Sequence, residues 1–536
     1  MASSLEEKIG QRLLLAFDCK GLLTQEIQDA IQRYRPGGIT LFRSLNIENP
    51  NQVRQLTGAF QDVAHQIGLP RLLIAADQEG GQLMALGEGM TQLPGNMALG
   101  ATRDSSLARR AGEVLGRELA ALGINVNYAP CVDVNVNPQN PVVGTRSFGE
   151  DPKTVAQLSA AMIEGIQSQG VAATAKHFPG HGDTSSDSHR GLPVVPHSLN
   201  RLRSVEFPPF DAAIRAGAKV IMTAHLALPV IDGVNAPPAT LSASVLKGLL
   251  RGELGFGGVI VTDAMDMHAI SQGDRLGESA VRAAQAGADL LLITSSPTDQ
   301  QLVHSNLLQA AKNGLLADNE LNASVERTSS LKRWLADQPP APDINVLGCA
   351  EHQQVADEIA ARSITLVRNQ AGLLPLRLES SQRVAVIIPR PADLTPADTS
   401  SYIIPSLASA LREFHPDMDE FIISHSPTDA EIASLLEQIP HYNLIVLATI
   451  NAFTNTGQQA MTREIIKRGI PTLVVALRLP YDLAMLEEVS TFVCTYSILE
   501  PSMHALASSL FGKTKFQGQL PVSIPSLFPA GYGEAL

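Results

Sequence analysis

The chain has 536 residues, 44% of them apolar and 17% charged, which is enough for several packed cores and excludes a disordered chain. A net charge of −13 and an aromatic content of 4%, with Trp334 the single tryptophan, leave neither a basic face nor many stacking platforms. Nucleic acid and anionic membrane are therefore not expected partners.

The first residues carry Glu6 and Glu7 ahead of a short apolar run, unlike the basic start and long apolar stretch of a secretory signal. No uninterrupted apolar stretch of roughly eighteen residues is present to span a bilayer. A cytoplasmic location is the expectation, and the oligomeric state stays open. Cys19, Cys131, Cys349 and Cys494 are widely dispersed and form no CxxC pair. They read as buried small hydrophobes in a reducing compartment, not as a zinc site or a disulfide framework.

From residue 12 onward, short apolar runs alternate with amphipathic stretches. The runs cover residues 12–18, 38–42, 71–77, 124–130, 171–178, 219–225, 258–264 and 289–295. They are rich in Val, Ile, Leu and Ala and largely lack polar alternation, as strands of a parallel sheet do when both faces are covered. The stretch 104–123 reads as a crossover helix, with Asp104 as its N-cap and Gly123 at its end, and 277–288 reads as another. Eight runs with helical crossovers predict a (β/α)8 barrel of the TIM type over residues 1–334. Four runs end on ionisable residues, Asp77, His177, His225 and Asp263. The C-terminal ends of barrel strands are where active sites are built.

Pro339, Pro340 and Pro342 mark a linker over residues 335–349. Beyond it, runs at 384–388, 421–425, 444–449, 471–477 and 491–496 predict a smaller three-layer α/β/α sandwich over residues 350–536. Neither GxGxxG nor GxxxxGK follows any of these runs, so the second domain is expected to be a structural or substrate-gating companion.

The densest polar cluster lies at 176–193, with His177, His181, His189, Asp183 and Asp187. Spacing of four between His177 and His181 would suit a metal only on a helix. Pro179 and Gly180 exclude that helix, and no metal is expected. In an extended segment Asp187 and His189 share a side, so the carboxylate can orient the imidazole and raise its basicity. At the seventh run Asp263 ends an apolar strand, where a bare carboxylate is costly. Asp266 is expected in the following loop or first helical turn, stabilised by the helix N-terminus. Asp263 is the nucleophile candidate. Asp77, ahead of Gly80 and Gly81, can accept hydrogen bonds from adjacent hydroxyls, with a loop cap as the other reading. Arg146, between Gly144 and Gly149, is either a surface residue or a ligand contact.

Together the strings 36–42, 76–81, 144–152, KHFPGHGDT (176–184), DSHRGLP (187–193), 222–225, 238–242 and 261–267 resemble glycoside hydrolase family 3, in its bacterial β-N-acetylglucosaminidase branch. Segments 364–376 and 518–525 resemble the family's second domain. The resemblance implies a retaining glycosidase acting on terminal β-linked N-acetylglucosamine without a cofactor. Asp263 would be the nucleophile, His189 the acid/base and Asp187 its orienting carboxylate. Asp77, Arg146, Lys176 and His177 would hold the sugar hydroxyls, and His181, Met222 and His225 fall on matching strings as further substrate-binding candidates. The partner implied is a small glycoside or oligosaccharide, with muropeptide and chitin fragments both open as aglycones. Relatives generally read DQEGGR, often with a second Arg shortly after, where this chain has Gln82 and Ala85. A β-glycoside phosphorylase, a metal-dependent barrel hydrolase and a non-catalytic sugar-binding protein are the competing readings.

Overall fold

A computed structural model describes residues 4–186, 191–270 and 275–536. Eight parallel strands form the first sheet: β1 (Leu13–Leu15), β2 (Gly38–Leu41), β3 (Leu73–Ala76), β6 (Val126–Asn127), β7 (Ala172–Phe178), β8 (Val220–Thr223), β9 (Val259–Thr262) and β10 (Leu291–Ile293). The short antiparallel hairpin of β4 (Gln78–Gly80) and β5 (Leu83–Met84) follows β3. Each barrel strand pairs with the next, and β10 pairs with β1 in register Leu13 to Leu291. The bridge between Val261 and Leu290 brings β9 up to β10, so the sheet closes into the expected barrel.

Side-chain alternation divides the strands between two cores. Leu14, Leu73, Ala75, Val126, Val220, Met222, Val259, Val261 and Leu292 point inward, and Leu331 and Leu335 of the helix Asp318–Ala336 join this interior. Leu13, Leu15, Ile39, Leu41, Ile74, Ile221, Ile260, Leu291 and Ile293 face the helices. Local chemistry starts these helices. Asp104 accepts from the Ser106 and Leu107 amides ahead of Ser105–Ala121, as expected, and Gly123 takes φ +75° beyond its end. Helices Pro50–Gln66, Pro152–Ser168 and Pro297–Lys312 share one start. A polar N-cap (Asn49, Asp151, Ser296) precedes a proline whose missing N–H costs nothing there.

The second sheet has six strands, ordered β11 (Thr365–Asn369), β16 (Thr491–Cys494), β15 (Thr472–Ala476), β14 (Leu444–Thr449), β12 (Val384–Pro389) and β13 (Met418–Ile423). Five correspond to expected runs. The sixth, β11, pairs antiparallel with β16 at the edge. Val384, Val386, Ile388, Val446, Val475 and Val493 pack on one face of this sheet. Ala385, Ile387, Leu447, Val474 and Phe492 pack on the other, in a core continuous with that of the barrel helices. Between the domains the chain returns to the barrel. The Gly348 amide and the His352 Nδ1 both reach Glu118 Oε1, at 2.9 Å each, and the Thr91 amide and hydroxyl reach the same carboxylate. Among the described residues no helix is long and apolar enough to cross a membrane.

Candidate active site

A cavity of about 580 Å³ opens at the C-terminal end of the barrel strands. Among its lining residues are Asp77, Arg146, Lys176, His177, His181, Met222 and Asp263 from the barrel and Asp393, Asp398, Thr399 and Tyr402 from the second domain. Asp77 follows β3 and Asp263 follows β9, four strands apart in a ring of eight, so the two carboxylates rise from opposite sides of the barrel. Met222, from the interior of β8, contributes to the cavity's apolar lining.

One wall is a buried charge cluster. Lys176 Nζ lies 2.5 Å from Asp77 Oδ1 and 2.7 Å from Glu79 Oε1. Arg146 donates to the same Glu79 through Nε at 3.0 Å and Nη2 at 2.7 Å, a bidentate pair. Burial by itself would raise the Glu79 carboxyl; Arg146 and Lys176 outweigh it and hold the group down at about 2. Burial pulls the Lys176 ammonium down, but Asp77 and Glu79 override it and raise it above the ordinary lysine range. Both cations therefore stay charged. Asp77, whose side chain keeps 26% of its surface exposed, is the member of the cluster that can still turn toward a ligand.

Strand alternation would send Lys176 and His177 to opposite faces, yet both line the cavity. The register of β7 against β8 shifts between Ala175 and Phe178, and that irregularity re-aims the strand end. Asp133 then fixes the segment. Its Oδ2 lies 2.7 Å from His177 Nδ1, and its Oδ1 accepts the His181 amide at 2.6 Å and the His177 amide at 3.3 Å. Gly182 fits beneath because a Cβ there would fall 1.8 Å from the Val134 carbonyl oxygen.

Cys131, Asp133 and His177 are a grouping of metal-ligating side chains among the described residues. Burial and the neighbouring Asp133 carboxylate push the Cys131 thiol well above its ordinary value, and it donates to Asp133 Oδ2 at 3.2 Å. With amide, imidazole and thiol donors converging on Asp133, the set is a hydrogen-bonded knot whose chemistry does not suit a cation.

The remaining sequence candidates fall in distinct places. His181 borders the cavity, but its Nδ1 lies 2.7 Å from Thr184 Oγ1, and burial lowers the ring to about 4, so it is neutral. His225 stands behind the wall: Nδ1 meets Thr240 Oγ1 at 2.8 Å, and Nε2 meets the Ala264 carbonyl at 3.0 Å. Both ring nitrogens are thus engaged beside the segment that carries Asp263, and through the Ala264 carbonyl His225 is tied to that segment. Asp263 Oδ1 accepts the Ala264 amide at 2.8 Å. Asp266 lies in the loop after β9, one of its two expected places, with residues 265–270 in turns and bends. Thr294 Oγ1 donates to its carboxylate at 2.7 Å. Asp187 and His189 lie outside the described residues.

Two residues outside the sequence candidates prove central. Glu79 and Asp133 are both buried acids, at 2% and 1% exposure, Glu79 beside Arg146 and Lys176 and Asp133 beside His177 and His181. Glu79 sits beside Asp77 in the quoted string, and the need of two buried cations for a counter-charge is the signal that points to it. Gln82 also finds its role here. Its Oε1 accepts from Thr145 Oγ1 at 2.6 Å and from Arg478 of the second domain, and its carbonyl accepts the Thr399 amide at 2.8 Å.

The family model described as "Glycosyl hydrolase family 3 N terminal domain" matches residues 4–331, and "Glycosyl hydrolase family 3 C-terminal domain" matches 364–528. The chain is 33% identical to beta-hexosaminidase A of Pseudoalteromonas piscicida, over 97% of this chain and 96% of that protein. It is 32% identical to a beta-N-acetylglucosaminidase/beta-glucosidase of Cellulomonas fimi, over 84% and 83% of the two chains. The solved glycoside hydrolase family 3 beta-N-acetylglucosaminidase of Paenibacillus sp. str. FPU-7 superposes with a TM-score of 0.92 at 37% identity, covering 98% of this chain and 99% of that one. With matches to both domains and a cavity at the catalytic face of the barrel, the chain belongs to glycosyl hydrolase family 3.

Proposed function

We propose that the protein is a retaining β-N-acetylhexosaminidase that removes terminal β-linked N-acetylglucosamine. The observation that carries this reading is the shared cavity, with the Asp77–Lys176–Glu79–Arg146 cluster on one side and Asp263 on the other. In this reading the non-reducing sugar lies between them. Asp77 and Lys176 take its hydroxyls, and the Asp263 carboxylate attacks the anomeric carbon. The glycosidic C–O bond breaks as the Asp263 C–O bond forms, and His189, oriented by Asp187, gives its proton to the departing oxygen. Water then donates its proton to the His189 imidazole, attacks the anomeric carbon and releases Asp263, with configuration retained after two displacements.

Turnover of paired aryl β-N-acetylglucosaminide and β-glucoside substrates tests the specificity. The N-acetyl sugar is expected to be preferred at least about tenfold in kcat/KM, ~1.4 kcal/mol of transition-state discrimination. Equal rates would make the enzyme bifunctional or a glucosidase. Glycosyl phosphate formed when phosphate is added would replace hydrolysis with phosphorolysis.

A further inference from the structure

The second domain does more than cover the barrel. Residues 393–402 enter the cavity wall and are held there by buried contacts that cross the domain boundary. Thr399 Oγ1 accepts the Met84 amide at 3.1 Å, and the Thr399 amide reaches the Gln82 carbonyl at 2.8 Å. Arg478, itself only 5% exposed, donates to Asp398 Oδ2 at 2.8 Å and to the Gln82 side chain. These contacts set the position of Tyr402, whose ring centroid lies 4.2 Å from the Arg43 guanidinium carbon. Arg43 comes from the barrel segment after β2, and its Nη1 donates to the Met84 carbonyl at 3.0 Å.

A gradient of exposure orients the cavity. Lys176, Arg146 and His177 are 1%, 4% and 6% exposed, whereas Tyr402 is 56% exposed. The charge cluster is therefore the blind end and Tyr402 the mouth. If the terminal sugar occupies the blind end, as in the function proposed above on which this inference rests, the leaving group projects toward Tyr402 and Arg43. A pyranose offers a face of C–H groups and a rim of hydroxyls. An aromatic ring stacked with a guanidinium, which carries several N–H donors, matches both features.

We propose that Tyr402 and Arg43, joined across the two domains, form the leaving-group subsite and select a sugar as the aglycone. Arg478 and Gln82 act at one remove, as positioning residues for the segment that carries Tyr402.

The test compares N,N′-diacetylchitobiose with methyl β-N-acetylglucosaminide. Both leaving groups are alcohols that need protonation, and only the first carries a ring to stack. In the full-length enzyme Tyr402→Ala should lower the ratio of kcat/KM for disaccharide over methyl glycoside about tenfold, and Tyr402→Phe should retain it. Arg43→Gln should lower the same ratio in the same direction. An unchanged ratio in Tyr402→Ala, or one lost equally in Tyr402→Phe, overturns the subsite while leaving the proposed function standing. Failure of the unaltered enzyme to turn over either glycoside overturns that function and the subsite with it.

Discussion

Replacing Glu79 with glutamine tests whether the buried cluster is held together by its charge. Glu79 accepts from Arg146 twice and from Lys176 once, at 2% exposure. A carboxyl held at about 2, below its ordinary value of 4.5, corresponds to ~3 kcal/mol of native-state stability at neutral pH. Removing one partner from a buried ion pair independently costs about 3–5 kcal/mol, so the two routes agree. Because the folded value is depressed, this contribution is complete above about 4.5 and drains away as the pH falls toward 2. Trp334, the single tryptophan, packs against the barrel interior, so its fluorescence reports unfolding of the barrel. Urea titrations at pH 7 should show Glu79→Gln less stable by about 3 kcal/mol. Between pH 4.5 and 2 the gap between the two proteins should close, since the wild type then loses what the variant never had. A loss below about 1 kcal/mol at pH 7, or a gap that persists unchanged at low pH, would refute the account.

Asp263→Asn should lower turnover on the order of a thousandfold or more with the Trp334-reported stability unaltered, and peptide mapping of a trapped glycosyl-enzyme on another residue would remove Asp263 from its role. His189→Ala should slow a disaccharide far more than an activated aryl glycoside, whose leaving group barely needs a proton, and Asp187→Ala should show a milder form of the same pattern. Similar losses on both substrates would make His189 a binding residue. Asp133→Asn places an NH2 against the His177 and His181 donors, so KM should rise at least about tenfold and stability should fall by ~2 kcal/mol. An unchanged KM in that variant would detach Asp133 from the positioning of His177.

Much of the barrel is legible in the linear chain, because strand burial and helix capping are local properties. Eight apolar runs, the Asp104 cap and the strand-end positions of Asp77, His177 and Asp263 all follow from residues within a few places of one another. So does the exclusion of a helix through His177 and His181, since Pro179 and Gly180 end β7 instead. Folding alone decided which of these groups meet. Arg146 finds Glu79 across 67 residues and Gln82 finds Arg478 across 396, distances over which no local pattern carries information. The same holds for His225, whose partners Thr240 and the Ala264 carbonyl lie 15 and 39 residues away. Asp266 falls in the loop after β9, as one expectation had it, but its partner Thr294, 28 residues on, could not be read from the sequence. The edge strand β11 was not among the expected runs, and only the fold pairs it antiparallel with β16, with a register shift between Leu366 and Arg368. Local chemistry thus determined the elements and the residue types at their ends, while the balance of buried charge, which depends on every element that converges on one cavity, was set only when the barrel closed and the second domain packed against it.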